Sequence, residues 1–152
     1  MLGLAACPGV GPPVDLGPGA DAGPAGGGIC PSGILPTFSS INSQLFQVSC
    51  GIGTGSCHSA MGSVFSGGLD LQSNPYAALV NQPANNIAGS KTGLIRVKPG
   101  DPANSFLLIK LATTTGSDPN YGSGMPFGSP GQVCAQARGV IAQWIDGGAL
   151  NN

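Results

Sequence analysis

The chain has 152 residues, with five Lys or Arg against six Asp and no Glu, a net charge of -1, and an excess of Gly (27) and Pro (14). That length fits one domain. The lack of any basic patch excludes nucleic acid as a partner, and no apolar run nears the roughly 20 residues that cross a bilayer. Scarce charge with a mean hydropathy of +0.20 fits a subunit packed against partners or a secreted surface rich in Ser, Asn and Thr, and equally a neutral soluble domain.

Residues 1–36 are dominated by Gly, Pro and Ala, as in "CPGVGPPVDLGPGADAGPAGGG". Such a segment has too few bulky apolar groups to offset the entropy of ordering it, and it reads as an N-terminal arm or tether. The folding unit is then 37–152. The opening "MLGLAACPG" resembles the cleavage box of a bacterial lipoprotein signal, with Cys7 as the lipidated residue. The charged region and most of the apolar region that precede such a box are missing, so chance likeness is the other reading. Five cysteines in a low-charge chain point to an oxidising, extracytoplasmic compartment, periplasm or cell surface.

Four stretches read as helices. "TFSSINSQLFQVSC" offers Thr37 as cap, sets Ile41, Leu45 and Val48 on one face, and delivers Cys50 at its end. "NPYAALVNQ" has Asn74 as N-cap and Pro75 at the first helical position, and "DPANSFLLIKLAT" repeats the signal with Asp101 and Pro102. "SPGQVCAQARGVIAQWIDGGA" starts from Ser129 and Pro130. It carries a stripe of Val133, Ala137, Val140, Ile141, Trp144 and Ile145 and closes at Gly147 or Gly148. Between them, "GSVFSGGLDLQS" and "GLIRVKPGD" suit short extended pieces. "TTTGSDPNYGSGMPFGSP" has almost no periodicity, and a loop of that length is uncommon unless it is functional or packs on something.

The chemistry concentrates in "CGIGTGSCHSAM", which holds Cys50, Cys57 and His58, the sole histidine. C-x-x-C-H is the pattern of covalent haem attachment. There, two thiols reach one porphyrin edge and the imidazole points at the iron. Here six residues separate the cysteines, and the alternating Gly51, Gly53 and Gly55 let the backbone bulge and return. A small disulfide loop, Cys50–Cys57, is the competing reading. Either way Cys30 and Cys134 are left to bridge the arm to the last helix across roughly 100 residues, although spacing alone does not fix the connectivity.

A low-spin haem needs a sixth ligand, and a thioether suits one that favours ferrous iron. Met125 lies in the Gly-rich "GSGMPFGS" with no periodic apolar face around it, unlike a core-filling Met. Met61 is too near His58 in sequence to reach the opposite face, and Met1 is terminal.

With "GLDL", "VKPGDPANSFLLIKL", "GSGMPFGS" and "VIAQWIDGGA" in this order after the C-x6-C-H stretch, residues 38–149 resemble the single-haem c-type cytochrome domains of extracytoplasmic bacterial proteins. The six-residue spacing is longer than that family's usual one. The resemblance implies an all-α, cytochrome c-like domain with long loops wrapped around one covalent haem c. It also implies attachment at Cys50 and Cys57 and axial ligation by His58 and Met125. Trp144 would pack beside the porphyrin or simply in the core. Pro99 would hold a carbonyl near the His58 ring or form an ordinary turn. Lys110 and Tyr121 would reach a propionate or face solvent.

The function so implied is one-electron transfer rather than enzyme catalysis, with redox partner proteins in a membrane complex or surface assembly and membrane contact only through lipid at Cys7. No general base or nucleophile beyond the committed His58 is apparent. The alternative is a haem-free structural or interaction module with a Cys50–Cys57 disulfide. A haem peroxidase would need an open sixth position, which Met125 opposes.

Overall fold

The computed structural model describes residues 28–51, 57–60, 62–114 and 117–152. Cys7, most of the arm, the glycine bulge between Cys50 and Cys57, and Met61 lie outside the described residues.

The first helix begins as sequence chemistry dictates. The Thr37 hydroxyl accepts from the Ser40 N–H at 3.3 Å and opens α1 (Phe38–Ile41). The chain then winds on without a break as a π-helix over Asn42–Cys50. Its last bond runs from the Gly51 N–H to the Phe46 carbonyl, 2.8 Å, five residues back. The wider winding changes which side chains face inward. Ile41, Leu45 and Phe46 are buried, whereas Val48, expected on their face, is 58 % exposed. The N–H groups of Phe38 and Ser39 are taken up by the Oδ1 (3.0 Å) and carbonyl (2.8 Å) of Asn152.

A 3₁₀ turn occupies Gly62–Phe65, where an extended piece was expected. Helix α2 (Pro75–Leu79) has Asn74 accepting from the Ala77 N–H at 3.4 Å and Pro75 in its first turn. After it the backbone pairs in isolated bridges, Val80 with Val97, Pro83 with Ile95, and Ile95 with Ser105.

The helix expected over 101–113 is split. Asp101 caps a 3₁₀ turn, Pro102–Asn104, and α3 (Phe106–Ala112) begins afresh. Ser105 is the break. Its backbone is extended (φ -84°, ψ 115°), and its fully buried hydroxyl accepts from the Lys98 N–H and donates to the Asp101 carbonyl, both 2.9 Å. That knits the "KPGDPANS" turn to α3. A two-residue antiparallel ladder follows, β1 (Ser117–Asp118) with β2 (Gly122–Ser123).

Helix α4 (Ala135–Asp146) starts five residues later than Ser129 and Pro130 suggest. Gly131 sits at φ +81°, incompatible with helix, and Val133 bridges in parallel to Ile29. Cys134 is the N-cap and is disulfide-bonded to Cys30. Packing therefore reaches back beyond residue 37: the Ile29 N–H donates to the Gln132 carbonyl at 2.8 Å, and Ile34 is buried in the core.

The core joins α1, the π segment, α2 and α4 through Ile41, Leu45, Phe46, Leu79, Val97, Ile141 and Ile145, each at most 1 % exposed. Each such side chain contributes about 1.5–3 kcal/mol of transfer free energy. Trp144 belongs to this core. It lies 5.7 Å from the Phe38 ring, and its Nε1–H donates to the Leu150 carbonyl at 2.8 Å. No helix among the described residues is long and apolar enough to cross a membrane.

Candidate functional site

One cleft stands out. Its interior has room for water-sized centres over about 190 Å³, below the roughly 300–1,000 Å³ of ligand pockets, and it opens widely to solvent. Leu45, Phe46, Leu69, Leu71, Leu79, Phe106 and Leu111 contribute to its apolar wall. Into it come His58, from the loop after the π segment, and Met125, from the loop before α4.

His58 is fixed at two points. Its carbonyl accepts from the Leu71 N–H at 2.8 Å, and its ring Nδ1 lies 3.2 Å from the Leu69 carbonyl. A carbonyl oxygen only accepts, so Nδ1 carries the proton and Nε2 keeps its lone pair free. Burial pushes the His58 pKa below its usual value; the Leu69 hydrogen bond opposes this, and the positive charges of Arg96 and Lys110 reinforce it. The ring is therefore a neutral imidazole near pH 7, the protonation state of a metal ligand. The carbonyl that orients it is that of Leu69. Pro99 instead stands in the turn before Asp101 and does not line the cleft; its segment is held elsewhere, Val97 bridging Val80 after α2 and the Gly100 N–H donating to the Ile145 carbonyl of α4.

Met125 is held through its backbone, its N–H donating to the Lys110 carbonyl at 2.9 Å. The preceding Gly124 is buried where a Cβ would run into the Thr113 carbonyl and the Pro130 ring. Only glycine lets the loop lie this close to the end of α3, and that closeness sets the thioether in the cleft.

Two of the five basic residues also line the cleft, and among the described residues no carboxylate does. Arg96 donates through its guanidinium to the Ala78 and Gly67 carbonyls, both 2.8 Å. The Lys110 Nζ donates to the Tyr121 and Ser123 carbonyls. Both groups are half-buried, and each retains further N–H donors for an anion. Tyr121 is outside the cleft, its ring 6.3 Å from that of Phe106. Arg96 was not singled out from sequence. Its signal was a lone cation inside the otherwise apolar "GLIRV".

The two cysteines part company. Cys50, at the end of the π segment, lines the cleft with a free thiol, and burial pushes its pKa up to about 11. Cys57 is itself disulfide-bonded and is not part of the cleft wall. The Cys50–Cys57 disulfide of the competing reading is therefore not formed, and of the two cysteines expected to attach a haem only Cys50 lines the cleft. Trp144, buried behind α4, does not reach the cleft either, because its indole is committed to Leu150 and Phe38.

Among the described residues no three His, Cys, Asp or Glu side chains converge. The donor set of the cleft is one imidazole, one thioether and one thiol on apolar walls. Such a set suits a mostly apolar ligand that brings its own metal, with anionic groups for Arg96 and Lys110. Comparison with protein-family models, curated protein sequences and solved structures finds no match.

Proposed function

We propose that this cleft holds a haem and that the chain is an extracytoplasmic one-electron carrier with a cytochrome c-like, mainly helical domain. The observation that carries this reading is the meeting of His58 and Met125, distant in sequence, in one apolar cleft. His58 arrives there as a neutral imidazole with its free nitrogen already defined.

The residues fit the group. His58, through Nε2, and Met125, through its sulfur, would hold the iron. Arg96 and Lys110 would hold the carboxylates, and the Leu and Phe walls would exclude water. When bound, the haem supplies a ferric/ferrous couple whose potential rises with thioether ligation and burial. The chain's task is to change little around that couple. Leu69 keeps the imidazole from turning, and the Met125–Lys110 backbone bond keeps the thioether loop in place. The hydrogen bond that His58 makes among the described residues goes to the Leu69 carbonyl and not to a nucleophile, which suits a carrier better than a hydrolase or transferase. The redox partner would be another protein, alone or in a membrane or surface assembly.

The disulfide at Cys57 favours the second reading, a haem-free structural or interaction module. Absorption spectroscopy separates the two. Full-length protein titrated with haem should develop a sharp Soret band at one equivalent. His58→Ala should abolish the low-spin spectrum, and Met125→Ala should convert it to high spin. A spectrum at one equivalent that stays that of free haem leaves only the haem-free module.

A further inference from the structure

We infer that Cys50 alone anchors the ligand covalently, through a single thioether, while Cys57 remains in its disulfide. This rests on the haem reading and goes beyond it, since the C-x-x-C-H pattern uses both cysteines.

Three observations carry it. Cys50 is on the cleft wall with a free thiol, and Cys57 is neither. Next, Cys50 is held against the same short segment that holds His58. Gly51 packs so closely on Leu71 that a Cβ there would meet the Leu71 carbonyl at 3.0 Å. The Gln47 Nε2 donates to that same carbonyl at 2.7 Å, and the Leu71 N–H donates to the His58 carbonyl. Segment 69–71 therefore ties the end of the π segment that carries Cys50 to the loop that carries His58. Finally, Cys57 has other duties: its carbonyl accepts from the Ser66 hydroxyl at 2.6 Å, fixing the loop that carries His58.

The chemistry discriminates in the same direction. A thioether forms when S–H adds across a porphyrin vinyl group. The sulfur bonds to the carbon next to the ring, the thiol hydrogen ends on the terminal carbon, and the vinyl π bond is consumed. No electrons are gained or lost overall, so Cys50 needs no co-reactant. Cys57 would first have to receive two electrons and two protons, with cleavage of its S–S bond. Its place beside His58 in sequence thus gives it no advantage over Cys50.

The test is mass spectrometry of the full chain after anaerobic incubation with ferrous haem, with denatured intact mass and non-reducing peptide mapping. The expected product is polypeptide plus one haem, the haem on the Cys50 peptide and the Cys57 disulfide intact. Cys50→Ser should still show the Soret band, yet release all its haem on acid extraction, while Cys57→Ser should keep its haem through extraction. Haem mapped to Cys57, or to both cysteines, overturns the inference, as does haem wholly extractable from the unmutated chain. Those outcomes leave the carrier reading standing. A spectrum at one equivalent that stays that of free haem overturns both, and mapping on the unmutated chain decides the question even if a variant fails to fold.

Discussion

Replacing Cys30 and Cys134 together by serine removes the crosslink between the 28–34 segment and α4 but little else. Cys134 is also the N-cap of α4, its sulfur accepting from the Ala137 N–H at 3.5 Å. Serine is a better N-cap than cysteine, so the helix start is preserved. The disulfide spans a sequence separation of 104. Loop-closure entropy for a loop of that length is about 4.7 kcal/mol at 25 °C. Against total stabilities of roughly 5–15 kcal/mol for a domain, that is a large share. With a urea m-value of about 2 kcal/mol/M, the unfolding midpoint should fall by about 2 M. The assay is urea unfolding followed by Trp144 fluorescence and far-UV circular dichroism, variant against unmutated chain. Coincident transitions would validate the two-state treatment. A midpoint lowered by less than about 0.5 M, at the same m-value, would refute the entropic argument. It would mean that the Ile29–Val133 pairing already holds the segment in the absence of the bond.

Ile141→Ala, at a fully buried position in α4, should cost about 2–5 kcal/mol in thermal or urea unfolding, and Ile141→Val about 0.5–1.5. Asn74→Ala should cost about 1 kcal/mol through loss of the α2 cap, with Asn74→Ser restoring most of it. Gly124→Ala should destabilise by about 1–3 kcal/mol, because the new methyl has the Thr113 carbonyl in its way. His58 should titrate below its ordinary value of 6.5 in the ligand-free protein, read from its imidazole proton resonances. Since its folded pKa is depressed, the unfolded chain takes up the proton first. Its contribution to stability is present above pH 6.5 and is lost as pH falls towards the folded value, and His58→Gln should flatten that part of the urea-midpoint profile.

What could be read from the sequence was what local chemistry controls. Thr37, Asn74 and Asp101 cap their elements as their side chains predict, because an oxygen acceptor followed by free N–H groups is complete within four residues. The start of α4 was not legible. Ser129 and Pro130 send an equally good local signal, and a partner almost the whole chain away, Ile29 with Cys30, overrides it. Val48 was misplaced because its face was assigned with the α-helical period, whereas the segment winds as a π-helix. At the cleft, His58 and Met125 drew notice as rare residue types in odd contexts. The group orienting His58 is a backbone carbonyl, and side-chain identity says nothing of where a carbonyl points. Leu69 was visible only as part of "GLDL". The division of labour between Cys50 and Cys57 is likewise tertiary: both carry the same thiol, and only the path of the chain makes one of them face the cleft.

The two halves of the cleft differ in how they come into being during folding. His58 is oriented by Leu69 and Leu71, close along the chain, so its side closes a short loop at small entropic cost. Met125 depends on α3 and on the close approach of Gly124 to Thr113, and it joins the cleft only after the middle of the chain has folded. The imidazole side is thus the early, self-sufficient part of the site and the thioether side the late one. A chain caught before its last elements dock would present a ligand with one prepared wall and no opposite one, and any binding at that stage would be one-sided.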